Sequence, residues 1–135
     1  MTLVLFGGII QTYTQTGGDM NLVEARRFLG VTVSKTRWSS REVRNLEFDI
    51  DIDYVMQLLG QQKGKCALTG WDLEFTRGGD WDGKNPRGAT MDRINSRRGY
   101  VRGNIQLVCG MPNVIKSHLD RDAFVELCKA VAKNS

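Results

Sequence analysis

The stretch MDRINSRRGYVRGNIQLVCGMPN, residues 91–113, sets one Asp, four Arg and three Asn around a short alternating apolar run. Ile105, Leu107 and Cys109 fall on one face of an extended chain, and residues 89–94 read as a second extended segment. Between them, NSRRGYVRGN supplies Gly99 and Gly103 for a turn. Pro112 suits the first turn of a helix, which puts Asn113 and Lys116 one turn apart on one side. The stretch therefore reads as strand, loop, strand, helix. Such a unit can bring Asp92, at the end of its first strand, close to Asn113, at the start of its helix. A carboxylate and an amide carbonyl form an oxygen pair suited to Mg²⁺, an ion that polarises a phosphoryl oxygen and stabilises a leaving oxygen. Taken singly, Asp92 reads as a surface ion-pair partner and Asn113 as a helix cap.

Charge is concentrated in the same place. Residues 92–117 hold Arg93, Arg97, Arg98, Arg102 and Lys116 against Asp92 alone, a surplus equal to the +4 of the whole 135-residue chain. A second basic cluster comprises Lys35, Arg37, Arg41 and Arg44. Positive charge gathered this way favours a polyanionic partner, nucleic acid first. Length and an apolar content of 41% fit one globular core. Three cysteines without close pairing argue against a secreted disulfide framework. The opening run MTLVLFGGII has no Lys or Arg ahead of it and no small-residue cleavage site after it, so a signal peptide is not expected. No stretch reaches the length of a membrane span. The chain reads as cytoplasmic.

Working outward, Asp51 caps a helix whose apolar face is Ile52, Val55, Met56 and Leu59, ended by Gly60. Leu46, Phe48 and Ile50 alternate as a short strand before it. Asn21 and Glu24 have the spacing of a capping box, and Gly30 closes a short helix over Leu22, Ala25 and Leu29. A basic connector or helix follows, a strand over Val31 to Val33 being the alternative. Residues 1–20 read as a strand and turn or as an arm. The polar loop RGGDWDGKNPRG is long enough to be functional or flexible; Trp71 beside it reads as core, and Trp81 is open between core and base stacking. Asp120 caps a last helix with Phe124, Leu127, Cys128 and Val131 facing inward and Leu119 placed for a staple. The division expected is residues 1–45, an arm and short helix without assigned function, and residues 46–135, the catalytic or binding unit.

The order DRI…GYVRGNIQLVC…PNVIK, with Asp-Arg, Gly-Tyr, Gly-Asn, an apolar strand ending in Cys, and Asn-x-x-Lys, resembles the HNH endonucleases of the ββα-metal nuclease superfamily. The likeness covers residues 46–126 and matches a variant common in phage and mobile-element proteins, with Arg after the Asp. It implies an α+β fold, a ββα-metal core with flanking helices, and a one-metal endonuclease hydrolysing phosphodiester bonds in double-stranded DNA with Mg²⁺ or Mn²⁺. By position Asp92 and Asn113 become the metal ligands, Asn104 the Asn that holds the loop, and Arg93 stands where the family has its water-deprotonating His.

A guanidinium stays charged at any relevant pH and cannot serve as that base. Three readings follow. Arg93 clamps the scissile phosphate while a metal-bound hydroxide attacks; or another group is the base, His118 (the sole histidine) or an acid of the long loop such as Asp80 or Asp82; or the chain is a non-catalytic DNA-binding or regulatory protein that keeps the fold. Arg97, Arg98, Arg102 and Lys116 are expected to contact phosphates without reading sequence. Many relatives hold a structural zinc with two C-x-x-C knuckles. Here Cys66-Ala-Leu-Thr69 and Cys109-Gly-Met-Pro112 keep the first Cys of each, and two thiolates fall short of a closed tetrahedral set. No structural zinc is expected, and the two cysteines should pack as small buried groups. A homodimer is retained as one assembly, with residues 1–45 as an alternative oligomerisation or docking element.

Overall fold

A computed structural model describes residues 2–6, 9–13 and 20–135. Strands β1 (Thr2–Phe6) and β2 (Ile9–Tyr13) pair antiparallel with Thr2 opposite Tyr13. The strand-and-turn reading of the first residues continues into 14–19, which lie outside the described residues. Helix α1 (Leu22–Trp38) starts as its capping pattern predicts, with Asn21 Oδ1 accepting from the N–H groups of Val23 (3.1 Å) and Glu24 (3.2 Å). It does not stop at Gly30. It runs on to Trp38 and closes in a π-helical turn, Ser39–Val43. A glycine inside a helix costs about 1 kcal/mol relative to Ala. Leu29 and Val33, one turn apart across Gly30, are both buried in the core, and that packing outweighs the propensity. No strand forms over Val31 to Val33.

The segment after α1 alternates as expected, with Phe48 and Ile50 buried, yet it contributes a single parallel bridge between Phe48 and Tyr100 rather than a strand. Gly99 permits this approach: a Cβ there would stand 2.2 Å from the Glu47 carbonyl oxygen. Helix α2 (Ile52–Gln61) is capped by Asp51, whose carboxylate accepts from Tyr54 N–H at 2.8 Å, and buries Val55, Met56 and Leu59. It extends one residue beyond the glycine assigned to end it. Gln62 then braces the sheet, donating to the Leu107 carbonyl (2.9 Å) and accepting from the Leu107 N–H (2.9 Å).

β3 (Ala89–Arg93) and β4 (Ile105–Cys109) pair antiparallel, Asp92 facing Gln106 and Arg93 facing Ile105. All five residues of β4 are buried, because the core covers one face and the following helix covers the other. Helix α3 (Gly110–Lys116) packs on β3 and carries Pro112 in its first turn. The fold is α+β: two two-stranded antiparallel sheets and helices, with the β3–β4 pair backed by helices. Ala25, Leu29 and Val33 of α1 share one core with Leu59, Met91 and Leu107, so that core runs across residue 45.

Two apolar expectations fail. In α4 (Arg121–Lys133) Phe124 is buried, but Leu127, Cys128 and Val131 are exposed, because the helix leaves the body after its first turn. Trp71 is 39% exposed and is covered by the Arg87 guanidinium, 4.5 Å from its ring, instead of by core.

Candidate active site

The register of the β3–β4 pair builds the site. Asp92 lies directly opposite Gln106, so the two side chains share one face of the ribbon, and Gln106 Nε2 donates to Asp92 Oδ2 at 2.8 Å. Thr90, two residues earlier, shares that face by the period of a strand. Helix α3 lies over it. Asn113 Nδ2 donates to Thr90 Oγ1 (2.9 Å), and Lys116 Nζ donates to Asp92 Oδ1 (3.0 Å) and to the Arg93 carbonyl (3.1 Å). Asn113 and Lys116 thus do sit on one side of their helix.

Lys116 faces inward, however. Its side chain is 1% exposed, and it neutralises Asp92 instead of reaching out to a phosphate. Removing an ammonium from water costs several kcal/mol, and here a carboxylate and a carbonyl offset that cost. The residue type and spacing were legible in the sequence; the direction of the side chain depended on the depth of the α3–β3 contact.

Asn104 is 2% exposed and spends its amide on the loop between the strands. Nδ2 donates to the carbonyls of Gly99 (2.9 Å) and Asn95 (3.1 Å), and Oδ1 accepts from the Asn95 N–H (2.9 Å). The loop is tied to the far side as well. Ser96 Oγ lies 2.8 Å from the His118 carbonyl and 3.0 Å from Asp120 Oδ1, its one proton shared between these two acceptors, and Ser96 N–H donates to the same carboxylate oxygen (3.0 Å). These donors hold the Asp120 carboxyl below its ordinary range. Asp120 therefore stands at the N-cap position of α4 but uses its side chain on the loop.

Arg93 begins the same loop. Its NH1 donates to the carbonyls of Ser96 (2.8 Å) and Arg98 (2.9 Å), and its guanidinium lies 5.5 Å from the Tyr100 ring. Arg44, from the second basic cluster, stands at the same distance from that ring. A cleft of about 260 Å³ gathers Asp92, Arg93, Asn113, His118, Arg44 and Tyr100. The turn at its edge is Ser117, a non-glycine residue with φ 52°, a conformation of the kind found where structure over-determines the backbone. Asp80 and Asp82 are exposed in the long loop and do not line this cleft. Arg97 and Arg98 are exposed on the strand-connecting loop, whereas Arg102 pairs with Asp51 (3.5 Å) and lies over the Tyr54 ring (4.8 Å). Sequence reasoning missed Gln106, and it named Arg44 only as part of the second basic cluster, without placing it in the cleft. Gln106 was implied by pairing register, while the local cluster around Arg44 does not say that it meets Tyr100, 56 residues away.

The oxygen donors fit a hard cation. Each Asp92 oxygen receives one hydrogen bond and keeps a second lone pair. The bond from Asn113 Nδ2 to Thr90 turns the amide so that Oδ1 is its uncommitted end. Among the described residues no group of three His, Cys, Asp or Glu side chains gathers as a metal site.

Cys66 and Cys109 meet behind β4. Both are buried and unpaired by disulfide, and Cys109 N–H donates to Cys66 Sγ at 3.2 Å. The Cys109 thiol and the other donors around Cys66 lower its pKa to about 5, while the same partner and burial raise Cys109.

No family model matches the chain, and no curated protein matches it. Among solved structures it is similar to the rare-cutting HNH restriction endonuclease PacI, a protein described for an extraordinary mechanism of DNA perturbation. The likeness has a TM-score of 0.58 and 17% identity over 91% of this chain and 95% of that one. At that identity it shows the fold: this chain has an HNH-type fold.

Proposed function

We propose that this HNH-type chain is a divalent-metal-dependent endonuclease that hydrolyses phosphodiester bonds in DNA. The observation that carries the reading is the cleft in which Asp92, Asn113, two guanidinium groups and the sole histidine converge. Asp92 and Asn113 Oδ1 would hold the ion, Mg²⁺ or Mn²⁺. Bound there, it would stabilise negative charge on the phosphate and on the leaving oxygen. Arg93 and Arg44 take the scissile phosphate against the Tyr100 edge of the cleft, with Arg93 anchored through NH1 and left with NH2 and Nε for the substrate. His118 takes the proton of the attacking water as the new P–O bond forms and an ester P–O bond breaks. It then returns that proton to solvent. Its place in the cleft favours it over Asp80 and Asp82. Arg93 is thereby a clamp, and the base comes from the turn after α3. Asn104 positions the loop, and Arg97 and Arg98 meet flanking phosphates.

A second reading has its own observation. The Lys116–Asp92 pair already neutralises the carboxylate, as a DNA-binding protein that does not cut would tolerate. Plasmid nicking separates the two. In Mg²⁺ or Mn²⁺ the wild type should nick supercoiled DNA, and EDTA should stop it. Asn113→Ala should abolish the activity, and His118→Ala should lower it by about 10²–10⁴-fold. DNA retention without nicking in any metal selects the binding protein. Full activity in His118→Ala removes the histidine from the mechanism.

A further inference from the structure

Beside the cleft lies a larger groove, about 470 Å³, bounded by α1 and the long loop of residues 76–88. Asn113 and Val114 line both, so the two adjoin at α3. The α1 wall exists because the helix passes Gly30: Phe28 and Lys35 stand two turns apart on one face. The opposite wall is a built turn. Trp81 and Lys84 bond reciprocally, Lys84 N–H to Trp81 O at 2.9 Å and Trp81 N–H to Lys84 O at 3.3 Å. Asp82 and Gly83 between them both have positive φ (51° and 71°), the geometry of a type I′ turn. Directly paired residues share a face, so the indole and the ammonium are presented together, and both line the groove. Arg77 covers Phe28 at 4.9 Å on the same surface. Among the described residues every charged group lining the groove is a cation, Lys35, Arg77 or Lys84, and its floor is largely apolar.

Cations at the rim with an aromatic ring inside form the surface that accepts an unpaired strand: phosphates on the rim, a base stacked on the ring. A continuous duplex offers no free base face to Trp81. We propose that the groove binds a single-stranded DNA segment adjoining the cut, so that the preferred substrate is a duplex with a single-stranded extension. This inference rests on the endonuclease reading for the identity of the polymer, and names the structure of the substrate within it.

The test uses the wild-type chain in EDTA, so that binding is read without cleavage. Fluorescence anisotropy compares a blunt duplex with the same duplex carrying a short oligo-dT extension at its 5′ or 3′ end. An extension at one end should tighten binding by about fivefold or more, the scale of one stacked base. Trp81→Ala should lose that gain while keeping the affinity for blunt duplex. Trp71→Ala, which removes an exposed indole outside the groove, should keep the gain. Lys84→Gln should reduce it and flatten its salt dependence. No gain from either extension, or a gain untouched by Trp81→Ala, overturns the proposal. Metal-dependent plasmid nicking then tells which reading failed. Nicking without an extension effect removes the groove and leaves the nuclease; a Trp81-dependent extension effect without cleavage keeps the groove and removes the nuclease.

Discussion

Substituting Lys116 by Met probes the centre of the site. The side chain is 1% exposed and its ammonium holds Asp92, 5% exposed, at 3.0 Å. Breaking a buried pair by removing one member leaves an uncompensated charge and costs about 3–5 kcal/mol. The Arg93 carbonyl loses its 3.1 Å donor in the same step. Urea denaturation followed by circular dichroism, without metal, should therefore show a loss on that scale, a large part of the roughly 5–15 kcal/mol of a typical domain. The double variant Asp92→Leu/Lys116→Met removes both charges and should be more stable than the sum of the two single losses by about 3 kcal/mol, since an apolar pair of similar volume often replaces a buried ion pair without net cost. The Lys116→Met variant carries a second signature. Its freed carboxylate should bind Mg²⁺ better than the wild type does, and saturation at about a hundred times Kd would restore about 2.7 kcal/mol. A single-variant loss below about 1 kcal/mol, or additive behaviour in the double variant, would refute the assignment of Lys116 as the residue that neutralises Asp92.

The loop and its surroundings give further outcomes. Asn104→Ala deletes three hydrogen bonds at a 2% exposed position and should cost about 1–3 kcal/mol for each buried partner left unsatisfied, read as a lower urea midpoint. Arg97→Gln or Arg98→Gln should each reduce the salt slope of DNA binding by about 0.9 for one lost phosphate contact, and Arg102→Gln by less, because that guanidinium is engaged with Asp51 and Tyr54. The cysteine pair predicts a pH dependence. Cys66 is an acid with a lowered folded pKa of about 5 against 9.0 for a free thiol, so its contribution to stability is present at alkaline pH, declines as the pH falls below 9.0, and is gone below about 5. Raised Cys109 acts in the opposite sense above 9.0. Stability of the wild type relative to Cys66→Ala should therefore increase from pH 5 to 8 in urea titrations, and a flat difference contradicts a lowered Cys66.

Local chemistry marked much of the fold in advance. Period-two apolar residues gave β4, Asp51 and Asn21 started their helices where caps were read, and the run from Asp92 to Asn113 carried the ββα order that the structural likeness supports. The loop-holding role read for Asn104 corresponds to bonds made within its own turn. What the sequence concealed depends on contacts between distant segments. Gly30 reads as a stop because propensity is local, whereas the helix continues because Leu29 and Val33 find a shared core. Leu127 and Val131 have helical spacing, but spacing cannot say whether a partner surface exists, and α4 has left the body by then. Lys116 looked like a phosphate contact because charged residues are usually solvated; the close seat of α3 on β3 turned it onto Asp92. Arg44 and His118 entered the cleft from opposite ends of the chain, and Trp81 met Lys35 across a groove. The sequence alone determined which chemical groups were available and the secondary structure that carries the Asp and Asn. Tertiary packing decided which of them are neutralised, which face a substrate, and which stand together, because burial and side-chain direction follow from the docking of whole elements.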